Sequence, residues 1–155
     1  DIAYIDEATH RKMAKSSLNK RDILITKTGR FNTENSSLGR AAMFLGPDDS
    51  ANINGHVYLV RLEGGCIHEF VLFILTSNEY REYIRRVCVG GIDKRQINKA
   101  HLNNFPIISP PLDLQRRFAA IVESVEQQKA SQRAHLDELD TLFASLQSRA
   151  FNGEL

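Results

Sequence analysis

Between Pro111 and Gly153 the chain contains neither proline nor glycine. Ala, Leu, Glu, Gln, Lys and Arg dominate this stretch, and they cost a helix least. An unbroken helix here is about 40 residues and about 60 Å long at 1.5 Å per residue, several times the usual globular length. A rod that long outruns any single small domain, so it needs a partner along its length. Both ends carry boundary signals. Pro110 and Pro111 disfavour helix before them, Asp113 and Gln115 suit a first turn, and Asn152-Gly153 suits a C-terminal stop.

The same stretch carries an apolar stripe: Leu114, Phe118, Ile121, Val122 and Val125, then Leu136, Leu139, Leu142, Phe143 and Leu146. Spacings of three and four place these on one face. In heptads, Phe118, Val125, Gln132, Leu139 and Leu146 share one seam position, and Ile121, Gln128, His135, Leu142 and Arg149 share the other. The seam is apolar at its ends and polar in the middle, a pattern that sets register and partner at some cost in stability. The plainer alternative is a solvent-bridging helix with a fortuitous stripe.

The composition, 42% hydrophobic and 25% charged over 155 residues, is that of an ordinary globular chain, either one domain or one domain with an appendage. No apolar run reaches 18 residues, which excludes a membrane-spanning helix, and the opening residues do not read as a signal peptide. Cys66 and Cys88 lack metal or redox spacing, which fits a reduced, cytoplasmic protein. The chain starts abruptly at Asp1 without an initiator Met, so a fragment, a processed product or a truncated frame is expected.

The net charge of +1 hides an asymmetry. Residues 1–111 hold 15 Lys and Arg against 12 Asp and Glu; residues 112–155 hold 5 against 7. Arg81, Arg85, Arg86, Lys94, Arg95 and Lys99 cluster against only Glu82 and Asp93, a candidate polyanion surface.

In chain order, Ile2–Ile5 reads as a short strand and Ala8–Leu18 as a basic helical turn. ILITKT, beginning at Ile23, reads as a strand ended by Gly29. Arg30–Leu38 is an Asn/Ser/Thr-rich loop. Gly39–Gly46 reads as a second strand and Pro47–Ser50 as a turn. His56–Leu62 alternates as a third strand closed by Gly64-Gly65. His68 to Val89 reads as two helices hinged near Ser77-Asn78. Gly90–Phe105 reads as a polar, basic loop with a helical turn, and Pro106–Ser109 as a last strand. The expected fold is α+β: a small mixed globule over 1–109, then one long helix over 110–155.

The succession DILITKTGR, LGRAAMF and ANINGHVYLVR, then a Gly-containing loop and the PPLxxQ start of a long helix, resembles the DNA specificity subunit of type I restriction-modification systems. The terminal LDTLFASLQSRAFNGEL resembles the far end of such subunits, so the likeness covers essentially the whole chain. The resemblance implies a target-recognition domain, N-terminally incomplete here, followed by one of two antiparallel helices that form a coiled coil. Each recognition domain of a full subunit reads half of a bipartite DNA target. The helices set the spacing and dock the methyltransferase subunits, through which the restriction subunit joins. Three departures stand out. The family usually has Gly where Arg21 precedes the strand and an acid where Leu114 precedes Gln115, and its shortest members have a shorter loop than Arg30–Leu38.

Reading base edges takes Arg or Lys for guanine and Asn or Gln for adenine; phosphates take Lys, Arg and hydroxyls. Lys27, Thr28 and Arg30 flank the first turn, and Asn35, Ser36, Ser37 and Arg40 fill the next loop. Asn52, Asn54 and His56 precede the third strand, although Asn52 and Asn54 also suit turn hydrogen bonds. Lys94, Arg95, Gln96, Asn98 and Lys99 form the densest group. These are the candidate DNA-contacting residues. Phe118, Ile121, Val125, Gln132, Leu139, Leu142 and Leu146 are the candidates for pairing the helix with a second copy in a homodimer.

Catalysis is not expected. Ser109–Leu112 (SPPL) misses the aromatic residue that amino-group DNA methyltransferases use against a flipped base. No glycine-rich cofactor loop precedes it, and no cofactor is expected. The five histidines lack metal-ligand spacing, and neither cysteine sits beside a His as a nucleophile would. The competing class is a coiled-coil adapter whose globule binds protein rather than DNA.

Overall fold

A computed structural model describes residues 4–30, 36–91 and 93–153. The chain divides into two compact units, Asp1–Gln115 and Arg116–Leu155.

The first unit holds two small antiparallel sheets. In one, strand β1 (Ile23–Thr26) is central between β3 (Ala41–Met43) and β4 (Val57–Val60), with Ile23 opposite both Met43 and Val60. Alternation along β1 buries Ile23 and Ile25 completely, as a strand with one core face requires. In the other sheet β6 (Lys94–Gln96) is central between β2 (Thr28–Gly29) and β5 (Val89–Gly91). Between β1 and β2 the Lys27 backbone N–H donates to His56 O (2.7 Å), and its carbonyl accepts from Ile97 N (3.0 Å). One residue thus ties the apolar sheet to the basic one.

Helices complete the core. Helix α1 (Glu7–Lys12) is capped by Asp6, whose carboxylate accepts from Thr9 N, and a 3₁₀ turn at Ala14–Ser16 follows. Helices α2 (His68–Thr76) and α3 (Asn78–Val87) meet at Ser77, which ends the first and caps the second through Tyr80 N. Phe70, Val71, Leu75, Tyr80 and Ile84 point inward. Tyr80 and Tyr83 both pack against Phe105, with ring centres 5.0 and 5.1 Å away. Buried Asp22 accepts from Arg61, whose guanidinium also donates to Ser17 O at 2.6 Å.

Arg21, just ahead of β1, adopts φ +76°. That left-handed backbone costs a side-chain-bearing residue about 1–2 kcal/mol. Arg21 Nη2 reaches the Glu69 carboxylate at 2.6 Å, and its backbone N–H donates to Phe44 O.

Helix α5 (Leu112–Phe151) runs unbroken over the glycine- and proline-free stretch. Gly153, at φ +72°, closes it, with Asn152 N bonded to Ser148 O. Ile121, Val125, Leu139, Leu142 and Leu146 are exposed in the single chain, and Phe118 is half-buried. The mixed α+β fold with a long final helix matches the expectation from sequence.

Three expectations about elements need correction. Gly90–Phe105 is not mainly loop: it supplies β6, the last residues of β5 and helix α4 (Lys99–Asn103). The alternation that marks a strand is missing there because Val89, Gly90 and Gly91 are all exposed. Pro106–Ser109 belongs to no strand, and Ile107 and Ile108 stay exposed; proline lacks the N–H that ladder pairing needs. Of the strand expected at Ile2–Ile5, Ile2 and Ala3 lie outside the described residues, while Tyr4 and Ile5 are in no strand.

The first turn of α5 is anchored by Gln115, 1% exposed. Its carboxamide accepts from Ile67 N (2.9 Å) and donates to Pro110 O (2.8 Å) and Gly65 O (3.3 Å). One side chain thereby closes the backbone groups ahead of α2 and of α5 together. Gln115→Leu leaves the half-buried Ile67 N and Pro110 O without this partner, at about 1–3 kcal/mol per orphaned group. The variant should lose about 3 kcal/mol of unfolding free energy, seen as a lower urea midpoint with an unchanged slope.

Candidate nucleic-acid interface

The site starts at Gly29. A Cβ at this position would lie 2.4 Å from Leu38 N, so only glycine lets the far end of the 30–38 loop rest on β2. Ser37 Oγ then donates to Thr28 O at 3.1 Å, Ser36 Oγ donates to Arg30 O, and Leu38 N donates to Ser36 Oγ. On the other edge of β2, Thr28 pairs with Gln96 and Gly29 with Arg95. The result is an open depression of about 380 Å³ lined by Thr28, Gly29, Arg30, Ser36, Ser37, Asp93 and Lys94. Residues 28–30 and 36–37 meet residues 93–94 here, more than 50 positions further along the chain. They offer two cations and the Thr28 hydroxyl beside one carboxylate, while the Ser36 and Ser37 hydroxyls are bonded within the loop; cations and a hydroxyl suit phosphates and base edges.

The remaining candidates divide by where their side chains go. Gln96 and Lys99 are exposed on β6 and at the start of α4. Asn98 caps α4: its Oδ1 accepts from His101 N (2.9 Å), and His101 Nδ1 accepts from Asn98 N. Arg95 is half-buried and donates inward to Cys88 O. Lys27 places its ammonium 5.5 Å from the centre of the Tyr58 ring. Arg40 is exposed beside Arg81 and Arg85 of α3. Asn54 Oδ1 accepts from His56 N, closing a local turn. Asn35 lies outside the described residues.

Asn52 is half-buried and bonded to neighbours within the globule. Its Nδ2 donates to Met13 O (3.1 Å) and Ser16 Oγ (3.0 Å), which fixes the amide so that Oδ1 faces His10 Nδ1. His10 Nε2 lies 3.1 Å from Asp49 Oδ1, and Ser17 Oγ donates to the same carboxylate. Asn52 therefore spends its carboxamide tying α1 to the 49–52 turn.

Arg81 belongs to the basic cluster but is not among the candidate DNA contacts read from the sequence. Its Nη1 donates to Leu38 O (2.6 Å) and its Nη2 to Ser36 O (3.2 Å), so α3 holds the loop that lines the depression. The available signal was the four-residue spacing of Arg81 and Arg85, which puts both on one helix face. Among the described residues no group of His, Cys, Asp and Glu is arranged to hold a metal ion, and no helix is long and apolar enough to cross a membrane.

A mixed globule with cations and hydroxyls gathered on an open face, continued by a long helix, has the layout of a DNA-recognition module. The family profile of the type I restriction modification DNA specificity domain matches residues 7–141, from α1 well into α5. The chain belongs to that family, and DNA sequence specificity in a restriction-modification system is its role. A search of the curated proteins finds no match.

The clasp under Asn52 has a titratable ring at its centre. Both ring nitrogens of His10 face oxygens, so the doubly protonated ring satisfies both. The Asn52 oxygen, aided by Asp49, raises the His10 pKa above its ordinary 6.5. The Ser17 hydroxyl, then His10, lowers that of Asp49 below 3.8. The His10 contribution is complete below pH 6.5 and is lost as pH rises through the raised value; the Asp49 contribution is complete above 3.8 and is lost as pH falls through the lowered value. Stability should therefore fall between about pH 5 and pH 8 in the native chain. H10Q should lack that part of the fall, as read from urea midpoints at the two pH values.

Proposed function

We propose that this chain is the sequence-reading, non-catalytic component that directs a separate methyltransferase, and through it a nuclease, to one half of a bipartite duplex target. The single observation that carries this reading is the depression at β2, β6 and Ser36–Ser37, where Arg30 and Lys94 stand with the Thr28 hydroxyl. In this reading the globule over 1–109 enters the DNA grooves with Thr28, Arg30 and Lys94 at the centre, and Gln96 and Lys99 on the flank. The helix over 110–155 acts as spacer and docking element for the methyltransferase. Its stripe pairs antiparallel with a second helix, and Gln132 in the middle of the seam sets register. The exposure of Ile121 (64%) and Leu139 (61%) supports such pairing, since an apolar face of that size favours burial against a partner. Two copies related by a two-fold axis would read an inverted repeat with a fixed spacer.

Replacing Arg30, Lys94 and Lys99 with Ala should weaken duplex binding and flatten its log–log salt dependence by about 0.9 for each phosphate these side chains neutralise. An unchanged slope removes these residues from the interface, and an absence of duplex binding by the native chain at low salt favours the protein-adapter reading. Leu139→Lys combined with Leu142→Lys should convert a dimeric mass in sedimentation to a monomeric one while helix content persists. A mass that does not change overturns the pairing.

A further inference from the structure

On α3, Arg81 and Arg85 lie one turn apart and share a face with Asn78 and Glu82. Arg40, from the segment ahead of β3, faces them across an open hollow of about 240 Å³ lined by these five residues. A second hollow of about 290 Å³ adjoins it, sharing Arg40 and Arg81 and reaching Leu75 and Thr76. Among the described residues none of the three arginines forms an ion pair with a carboxylate. Glu82, the one acid lining the hollow, is exposed.

Three guanidiniums gathered without a paired acid repel one another, and burial together with Arg40 and Arg85 holds the Arg81 pKa below the ordinary guanidinium value. Arg81 is fixed by its bonds to Ser36 O and Leu38 O. It cannot turn away from its neighbours without releasing the loop. An anion in the hollow relieves this repulsion, and guanidinium groups match phosphate oxygens in geometry and charge.

We propose that Arg40, Arg81 and Arg85 form a seat for a backbone phosphate of duplex DNA, with Arg40 and Arg85 making the contacts and Arg81 positioning them. This inference rests on the DNA-reading role proposed above and adds a second, sequence-independent contact to it. Ser36 joins the two places: its residue lines the depression with Arg30 and Lys94, while its carbonyl is bonded by Arg81. The two cationic sites therefore flank one loop. A continuous polyphosphate backbone spans such a pair, whereas a free phosphate ion fills only one. Arg40, Asn78, Glu82 and Arg85 around the hollow are exposed, as a backbone passing over the surface requires.

The test uses the full chain and a random-sequence duplex of about 30 base pairs, with affinity measured across a salt series. Arg40→Ala with Arg85→Ala should weaken binding roughly tenfold at low salt and flatten the log–log slope by about 0.9, as when one phosphate is no longer neutralised. Glu82→Gln should act in the opposite sense and tighten binding two- to threefold, roughly as expected for removing one nearby like charge, which a purely structural role for this face would not produce. Both variants change exposed side chains, so their thermal midpoints should stay near that of the native chain. If the native chain binds duplex and the double variant matches it in affinity and slope, the phosphate seat is overturned and the DNA-reading role stands. If inorganic phosphate raises the thermal midpoint of the native chain but not of the double variant, while duplex affinity is equal in both, the site is one for small anions and the proposal fails. If the native chain binds no duplex at low salt, the DNA-reading role fails and this inference with it.

Discussion

The two hydrogen bonds of the Lys27 backbone hold the recognition unit together. One reaches His56 at the start of the apolar sheet's β4, and the other reaches Ile97 just beyond β6 of the basic sheet. Ile97 is fully buried, and its carbonyl accepts from Tyr58 Oη at 3.1 Å, so the junction is locked from both sides. Because β1 is anchored by Ile23 and Ile25 in the core, the strand that follows Lys27 has no freedom to choose its own position. The cations on β6 and the hydroxyls of the 36–38 segment are placed by that constraint, and through it by the hydrophobic core.

Charge on this surface is sorted by what each polar group already does within the globule. Asn52 and Arg95 direct their side chains to internal acceptors or donors, and Asn54 closes a turn. Lys94, Lys99 and Arg40 are exposed. A side chain already satisfied by the fold must break those bonds before it can read a base, and a buried orphan costs about 1–3 kcal/mol. Reach and availability, rather than residue type, separate the groups suited to an external ligand from those that build the scaffold. Arg81 does both: it holds the loop while carrying charge at the surface.

Much of the architecture was legible. The long helix followed from the absence of Gly and Pro over 112–152, the hinge at Ser77 from a helix-capping residue between an apolar and an amphipathic stretch, and β1, β3 and β4 from their β-branched and apolar runs. The β5–β6 hairpin was not legible. Its strands carry glycine and charge, and they are held by backbone pairing to β2 rather than by a buried face. Pro106–Ser109 misled in the opposite way, having strand-like residues but no strand. At the candidate site, the residue types in the basic cluster, Arg81 among them, were visible, while the internal partners of Asn52 and Arg81 were not, since they lie 36 to 45 positions away.

The sequence by itself determined the elements whose causes are local: helix length, caps, hinge, the core face of β1 and the chemical character of the loops. These follow from backbone propensity and side-chain periodicity, which act within a few residues of each position. The tertiary structure decided which loops meet. Gly29 admits the 36–38 segment, Gln115 joins the start of α5 to that of α2, and Arg81 reaches across to Ser36 and Leu38. Each joins distant residues whose interaction energy is gained only once the core has brought them together, so no local pattern announces it.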